Sequence, residues 1–318
     1  MSSDAAKTRV IFFGMAGALP AASLRAILDT PAEVVGVVCA EPRAPAARRR
    51  GSPLAWLRAL ALRGNDPARM AKSRRVDCLR VREANVPEVI HWVRDRAPDL
   101  MCITTFPHLL GPELLSVPRI GAVNLHTSLL PRYRGPSPLF WIARAGDSEG
   151  GVTVHWVDAG EDTGDILLQE PLPIPDGMTS EELQRGVAEV GSRLMQDAVE
   201  RIAVCGNSIP SQPQSGGHRN PRPRPEDAQI DTAWGARRVY NFVRLARKWQ
   251  MPYLINGDTR CHFDDALWLP ERRSQETAIQ VGRRRTTLMA RDGTVVLWKR
   301  GRFTKALDDL RALRGWRQ

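Results

Sequence analysis

The sequence predicts an α/β protein, in which a Rossmann-like, mostly parallel twisted sheet is followed by a small β-rich, barrel-like domain. In the first two-thirds of the 318 residues, short apolar runs alternate with helical segments, a pattern typical of parallel sheets with right-handed crossovers. After a Pro- and Gly-rich stretch, the pattern changes to short strand candidates separated by hairpin-turn signals. There we expect an OB-like antiparallel barrel.

The strand candidates of the first part are short runs of apolar and β-branched residues, as expected for strands covered on both faces. They lie at residues 10–13, 33–39, 76–81, 100–104, 122–126 and 152–157. Helical periodicity occurs between them, at residues 21–28, 54–62 and 86–96. A long amphipathic helix over residues 179–204 closes this part, with its apolar side chains on one stripe.

Composition divides the chain into three predicted parts: an α/β domain at 1–205, a Pro/Gly-rich linker at 206–229 and a basic β-rich domain at 230–318. The last part carries one helix candidate, at residues 239–245. Its strand candidates lie at 253–255, 261–263, 278–281, 288–290 and 295–298.

The net charge of +11 is concentrated at the end of the chain. Residues 219–318 contain 22 Lys and Arg against 11 Asp and Glu, so the preceding residues sum to about zero. Such asymmetry indicates either a basic domain that meets an anionic partner, such as nucleic acid, or a solvated basic surface. Charge alone does not choose between the two.

Several classes of protein are excluded by what the sequence lacks. No run approaches twenty apolar residues, and the start does not have the pattern of a signal peptide. The five cysteines are odd in number and scattered, which favours reduced thiols over a disulfide framework or a zinc site. We expect a cytoplasmic protein without a metal site or a membrane partner.

Polar residues cluster where two strand candidates end. Asn124 and His126 are two apart on one strand, so their side chains share a face near its carboxyl end. Asp158, Glu161 and Asp162 follow the next strand in a Gly-rich loop. An amide that donates to an oxyanion, a His that moves a proton and a carboxylate that orients it would form an acyl-transfer site. The alternative is that these residues only cap turns.

This region resembles the 10-formyltetrahydrofolate-dependent formyltransferases. The shared pattern is Asn-x-His-x-Ser-Leu-Leu-Pro-x-x-x-Gly, followed 38 residues after the Asn by the second Asp of Asp-x-Gly-x-Asp-Thr-Gly. The matching residues are Asn124, His126, Ser128, Leu129, Leu130, Pro131, Gly135, Asp158, Gly160, Asp162, Thr163 and Gly164. The resemblance covers roughly residues 8–205, and the tail resembles a divergent form of the small barrel attached to the tRNA and amino-sugar enzymes.

The resemblance implies the formyltransferase fold, 10-formyltetrahydrofolate as the formyl donor and a primary amine as the acceptor. It implies that Asn124 and a charged or nearly charged His126 donate to the oxyanion. Asp162 would then stabilise the positive charge of His126 and relay the proton.

The resemblance also assigns binding residues. Those expected to bind the folate are Phe106, Pro107, His108, Leu109, Leu110, His155, Val157, Asp158, Gly160 and Glu161. Those expected near the acceptor are Gly14, Met15, Ser128 and Arg132. The turn at Gly14 lacks the G-x-G-x-x-G spacing, so dinucleotide binding is not implied.

The acceptor is open between several classes. The sequences RYRGPSPLFW and GVTVH are similar to the amino-sugar branch, which favours a small amine-bearing metabolite such as an amino-sugar nucleotide. A basic loop at residues 43–50 and the basic C-terminal domain are similar to the tRNA-binding parts of methionyl-tRNA formyltransferases. A formyltetrahydrofolate hydrolase and a non-catalytic RNA-binding protein are further alternatives.

Overall fold

A computed structural model describes residues 7–41 and 65–299, which form two compact units. Within these residues, unit 1 contains the chain up to Pro138 together with Gly150–Pro173 and Gln184–Asn220. Unit 2 contains Leu139–Glu149, Ile174–Leu183 and the chain from Pro221 onward. The predicted helix at 54–62 and basic loop at 43–50 lie outside the described residues. The domain boundaries at 205 and 230 stay a prediction.

The seven-stranded sheet has the strand order β3-β2-β1-β4-β5-β6-β7. Strands β1 to β5 pair in parallel, and β6 runs antiparallel to β5. This confirms the predicted mostly parallel sheet. Its strands are β1 (Arg9–Gly14), β2 (Glu33–Ala40), β3 (Cys78–Val81), β4 (Leu100–Thr104), β5 (Gly121–His126), β6 (Glu149–Trp156) and β7 (Ile166–Pro173).

Strand β7 had no counterpart among the sequence predictions. Its sequence, ILLQEPLP, contains Pro171 and Pro173. Proline cannot donate to a strand ladder and is confined to the edges of sheets. The strand order places β7 at the edge, so both prolines are tolerated there.

Several helices begin at a proline, which suits the first helical turn because its N–H has no partner there. α2 also starts at a side-chain cap, since Asp66 accepts a hydrogen bond from Ala68 N. Within the described residues up to 205, the helices are α1 (Ala18–Leu28), α2 (Pro67–Ser73), α3 (Pro87–Arg94), α4 (Pro112–Leu115), α5 (Pro138–Ala145) and α6 (Ser180–Cys205).

The core of unit 1 lies at the central strands. Every residue of β4 is buried, as the apolar run LMCIT predicts. Ile11, Phe13 and Met101 belong to one buried cluster with residues of α3 and β2. This packed centre gives a rigid support to the strand ends that carry polar side chains.

Unit 2 contains a five-stranded antiparallel sheet in the order β10-β11-β12-β9-β8, curled as a half-barrel. The predicted β-rich C-terminal fold is thereby confirmed. Helix α7 (Ala236–Ala246) packs on this sheet, and Phe242 meets Trp234 edge-to-face at 5.3 Å. The strands are β8 (Tyr253–Asn256), β9 (Thr259–Leu269), β10 (Ala278–Val281), β11 (Arg285–Ala290) and β12 (Gly293–Lys299).

Within residues 7–41 and 65–299, we find no helix with the length and apolar character needed to cross a membrane. The same residues hold no group of three or more His, Cys, Asp or Glu that could bind a metal. All five cysteines lie in these ranges and are free thiols. The cytoplasmic location stays a prediction.

Candidate active site

Two neighbouring strands place three polar side chains on one face of the sheet. Asn124 and His126 lie two residues apart on β5, so both project to the same side. His155 on β6 is the register partner of Asn124 across the antiparallel pair. Both histidines are buried, with 6% of His126 and 2% of His155 exposed. The site is therefore built on a buried polar face at the ends of β5 and β6.

Asp162 completes this cluster from the loop that follows β6. One carboxylate oxygen, Oδ1, accepts from Asn124 Nδ2 at 3.2 Å and lies 3.5 Å from His155 Nε2. The other, Oδ2, accepts the main-chain N–H of Gly135 at 2.8 Å and lies 3.4 Å from His126 Nδ1. The structure thus brings together the three residues predicted as catalytic and adds His155 and Gly135 to them.

The loop geometry around Asp162 depends on small residues and on Asp158. Asp158 Oδ1 accepts from Gly160 N at 3.0 Å and from the Thr163 hydroxyl at 2.6 Å, which closes the turn. A side chain at Gly164 would overlap the main-chain oxygen of Trp156. Asp162 itself has a positive φ of 55°, an uncommon conformation for a residue other than glycine. The Asp-x-Gly-x-Asp-Thr-Gly motif therefore builds the turn that presents Asp162.

Asp162 is ionised over the whole neutral range. Burial by itself raises the pKa of a carboxyl group. In this site the charge interaction with His126, the contact with His155 and the hydrogen bond from Gly135 N outweigh burial, and they lower the pKa of Asp162 to about 2. A permanent negative charge therefore lies against both histidines.

His126 is neutral rather than charged at neutral pH. Burial lowers the pKa of His126, and the opposing attraction of Asp162 and the hydrogen bond to Tyr133 do not fully compensate. Since a carbonyl oxygen only accepts, Nε2 carries the proton that bonds Tyr133 O at 2.9 Å. Nδ1, facing Asp162, is then the free position of the ring. The expectation of a charged or nearly charged His126 is corrected.

His155 holds Asn124 rather than only lining a binding site. Its Nδ1 lies 2.7 Å from Trp156 O and must donate to it, since a carbonyl oxygen only accepts, and Nε2 is left to accept from Asn124. Asn124 Nδ2 lies 3.2 Å from this Nε2. The two N–H groups of the Asn124 amide are therefore directed to His155 and to Asp162.

The side chain of Ser128 is bonded within its own loop. The residue is fully buried, and its hydroxyl donates to Arg132 O at 2.7 Å. Its own carbonyl accepts from Thr153 Oγ1 at 2.6 Å. The expectation that Ser128 lies near the acceptor stays a prediction. Arg132 is exposed, with its guanidinium 5.2 Å from the Tyr133 ring centroid.

The segment expected to bind the folate forms an apolar surface beside the sheet. Phe106 packs edge-on against Phe13 at 5.3 Å between ring centroids and against His108 at 5.4 Å. Phe106, Leu110 and Val157 pack against the core cluster of unit 1, whereas 66% of Leu109 is exposed. Pro107 lies between Phe106 and His108, and Glu161 forms an ion pair with Arg219.

Gly14 and Met15 lie where β1 ends. Gly14 pairs in register with Thr104 of β4, at the point where the strand order reverses. Ligands of open α/β sheets bind at such switch points. Within the described part of the chain, neither residue is hydrogen-bonded to the Asp162 cluster, so their role at the acceptor stays a prediction.

Two side-chain amides with structural roles near the site were not predicted. Asn85 donates to Leu109 O at 2.9 Å and accepts from Gly111 N at 2.7 Å, so it braces the segment that includes Phe106. Gln214 contacts the loops of Arg134 and Asp162. Neither residue belongs to a periodic pattern or to the motif, so local sequence carried no signal for them.

The fold and this cluster together define an α/β enzyme equipped for acyl transfer to a nucleophile. Residues 9–199 of the chain match the formyl transferase family. The chain belongs to this family and is a formyltransferase. The predicted resemblance to the 10-formyltetrahydrofolate-dependent formyltransferases, with that folate as formyl donor, is confirmed. The alternative of a non-catalytic RNA-binding protein is set aside.

Among curated relatives, the chain is 32% identical over 249 residues to a methionyl-tRNA formyltransferase of Symbiobacterium thermophilum. The match covers 78% of this chain and 72% of that protein. A methionyl-tRNA formyltransferase of Moorella thermoacetica is 37% identical over 54% of this chain and 56% of its own length.

Among solved structures, the chain resembles WlaRD, a sugar 3N-formyl transferase, with a TM-score of 0.63. The identity is 17%, over 93% of this chain and 99% of that one. An N-formyltransferase from Helicobacter canadensis gives a TM-score of 0.61 at 17% identity, over 92% and 100% of the two chains. At these identities the likeness concerns the fold alone.

Proposed function

We propose that this formyltransferase transfers the formyl group of 10-formyltetrahydrofolate to a primary amine, with Asn124, His126 and Asp162 as its catalytic residues. The observation that supports this most directly is the position of the Asp162 carboxylate, which contacts both Asn124 and His126. The donor supplies the formyl group. The chain supplies orientation, hydrogen bonds and proton transfer.

His126 acts as the proton acceptor in this proposal. Its pKa is lowered by burial, so the ring is neutral at working pH and Nδ1 is free to take a proton. The attacking amine loses one proton as the new C–N bond forms, and Nδ1 accepts it directly or through one water. Asp162, with Oδ2 3.4 Å from Nδ1, then stabilises the charged ring. The same proton is returned to the nitrogen that releases the formyl group.

Asn124 acts as the donor to the formyl oxygen, where negative charge develops. Its amide lies at the carboxyl end of β5 and is oriented from one side by His155 Nε2. The second N–H, directed at Asp162 Oδ1 across 3.2 Å, is the one we assign to the formyl oxygen. When the formyl oxygen binds, this N–H exchanges its long bond to Asp162 for one to that oxygen, while the bond to His155 keeps the amide in place.

The folate is assigned to the apolar surface between the Phe106 segment and the loop after β6. Phe106, Leu110 and Val157 offer partly buried apolar surface, and Leu109 adds an exposed side chain beside them. Flat aromatic ligands bind on such surfaces with a few polar main-chain contacts. Pro107, His108, Asp158, Gly160 and Glu161 remain assigned to this site through the family resemblance.

For the acceptor we propose a small amine-bearing metabolite of the amino-sugar nucleotide class. The sequences RYRGPSPLFW and GVTVH resemble the amino-sugar branch. The second of these contains His155, the residue that holds Asn124. The resemblance to this branch therefore includes a residue of the reacting site.

Methionyl-tRNA is the second candidate acceptor, favoured by two observations. The curated relatives described above are methionyl-tRNA formyltransferases. In addition, residues 219–318 carry the whole net charge of +11, which suits a polyanionic partner. The catalytic residues do not discriminate, because the same amine chemistry serves both acceptors.

The deciding experiment follows tetrahydrofolate release from 10-formyltetrahydrofolate with a panel of acceptors. The panel contains dTDP-linked 3-amino and 4-amino sugars, simple amines, methionylated initiator tRNA and no acceptor. Turnover with an amino sugar supports the proposal, and turnover restricted to methionylated tRNA replaces it with the second candidate. Turnover without any acceptor identifies a hydrolase. In each arm, Asp162→Ala should leave only a small residual rate.

A further inference from the structure

Part of the stretch predicted as a linker lies across the two loops that form the reacting site. We call residues 209–220 the crossing segment. Its Gln212 exchanges two main-chain hydrogen bonds of 2.8 Å with Ile166, at the start of β7. Further along, Asn220 N donates to Arg134 O at 2.9 Å. The crossing segment is therefore attached to the end of the Asp162 loop, at Ile166, and to the Arg134 loop.

Between these two attachments, the side chain of Gln214 makes four hydrogen bonds. Its Oε1 accepts from Arg134 Nη2 at 2.8 Å and from Arg134 Nε at 3.2 Å. Its Nε2 donates to the main-chain oxygen of Gly164 at 2.6 Å and to that of Asp162 at 3.2 Å. One amide group therefore joins the two loops.

These two loops are also joined at the carboxylate of Asp162. Gly135, which follows Arg134, donates its N–H to Asp162 Oδ2 at 2.8 Å. Gln214 bonds the side chain of Arg134, the residue before Gly135, and the main-chain oxygen of Asp162. Asp162 needs such support because its φ of 55° is a conformation that non-glycine residues seldom adopt.

We propose that Gln214 is a positioning residue that fixes Asp162 for proton transfer by joining the Arg134 and Asp162 loops. This inference rests on the role proposed for Asp162. Gln214 acts through Asp162 and has no contact with the reacting atoms.

The chemistry of the four partners explains why a glutamine is suited to this position. The Arg134 guanidinium only donates, and the two carbonyl oxygens only accept. The joining side chain must therefore accept at one end and donate at the other, as a primary amide does. A carboxylate would keep the pairing with Arg134 but would meet two carbonyl oxygens without a proton to donate.

This difference gives a sharp test. Gln214→Glu keeps and strengthens the attachment to Arg134 and removes the attachment to the Asp162 loop, whereas Gln214→Leu removes both. The matched control is Gln212→Leu, because the Gln212 side chain is exposed and its bonds to Ile166 use the main chain.

Rates are measured as tetrahydrofolate release in two arms, with a dTDP-linked amino sugar and with methionylated initiator tRNA. Binding of 5-formyltetrahydrofolate and thermal unfolding are measured on every variant.

We expect both Gln214 variants to lose on the order of 10²-fold in kcat, the effect typical of a small misplacement of a catalytic group. Binding of 5-formyltetrahydrofolate should be unchanged, and Gln212→Leu should match the wild type. In the background of Asp162→Ala, the Gln214→Leu change should produce no further loss, because both act on one step.

Three outcomes overturn the proposal. A Gln214→Glu enzyme with wild-type kcat would show that only the Arg134 attachment matters. A loss that adds fully to that of Asp162→Ala would show that Gln214 acts elsewhere. An Asp162→Ala enzyme with wild-type kcat would remove the proposed catalytic role and this inference together. The first two outcomes, obtained with an Asp162→Ala enzyme whose kcat is strongly reduced but measurable, leave the proposed function standing.

Discussion

Asn124 and His155 face each other across β5 and β6, with Asn124 Nδ2 3.2 Å from His155 Nε2. The other nitrogen of His155 donates to Trp156 O at 2.7 Å, which fixes the ring as an acceptor toward Asn124. The orientation of the proposed oxyanion donor therefore depends on a histidine of the neighbouring strand.

Asn124→Ala should lower kcat by about 10²–10³-fold, the usual cost of removing an oxyanion donor. His155→Leu should lower kcat as well, because the Asn124 amide loses the acceptor that orients it. The double variant should be no worse than Asn124→Ala alone, since both changes remove one interaction. Steady-state rates of the three enzymes decide this, and additive losses would assign His155 a separate role.

The protonation of His126 should respond to Asp162 in a defined direction. Burial places the pKa of His126 below its ordinary value, and the Asp162 charge opposes this decrease. Asp162→Asn removes the charge, so the pKa of His126 should fall further. The neutral ring then persists to a lower pH than in the wild type.

NMR titration of the His126 ring below pH of about 6.5 measures this change. Asp165→Asn is the matched control, because Asp165 belongs to the same loop and its carboxylate accepts from Ser211. A titration midpoint that rises in Asp162→Asn would contradict the arrangement described here.

Ser128 should contribute to stability and not to substrate binding. Ser128→Ala removes a buried hydroxyl and leaves Arg132 O without its donor. We expect the free energy of unfolding to fall by about 1–2 kcal/mol, with KM for donor and acceptor unchanged. Denaturant unfolding and steady-state kinetics test both parts.

The exposed Ser116, whose hydroxyl makes a similar bond to Glu113 O, is the control for this prediction. Water replaces that bond, so Ser116→Ala should cost less. A raised KM in Ser128→Ala without loss of stability would restore the substrate-binding role.

The catalytic cluster could be predicted because its signals are local. Asn124 and His126 share a strand face by their spacing of two, and Asp162 occupies a fixed place in a recognisable motif. The apolar runs of the parallel strands were equally visible, since strands covered on both faces need uniform apolar composition. His155 was also found, but its contact with Asn124 follows from strand pairing, which the sequence does not state.

Gln214 and Asn85 could not be predicted, for a physical reason. Each is a single side-chain amide that bonds groups far along the chain, 80 residues away from Gln214 in the case of Arg134. Such contacts follow no helical or strand period. The charge of His126 was misjudged because the opposing effects of burial and Asp162 depend on distances that only the folded structure provides.

Asn85 provides a test of the folate site that does not involve the reacting residues. Its amide bonds Leu109 O and Gly111 N, so it holds the segment assigned to the folate. Asn85→Leu removes both bonds, a loss on the order of 1 kcal/mol at an exposed position. This corresponds to about fivefold weaker binding of 5-formyltetrahydrofolate, with kcat at saturating donor unchanged. Asn85→Asp keeps the bond from Gly111 N, so its affinity for 5-formyltetrahydrofolate should lie between those of the wild type and Asn85→Leu.

Fluorescence titration measures the affinity, and Asn256→Leu on β8 is the control for an exposed asparagine. Equal affinity in all four proteins would show that this segment does not bind the folate, whereas a loss of kcat would place Asn85 in the catalytic step.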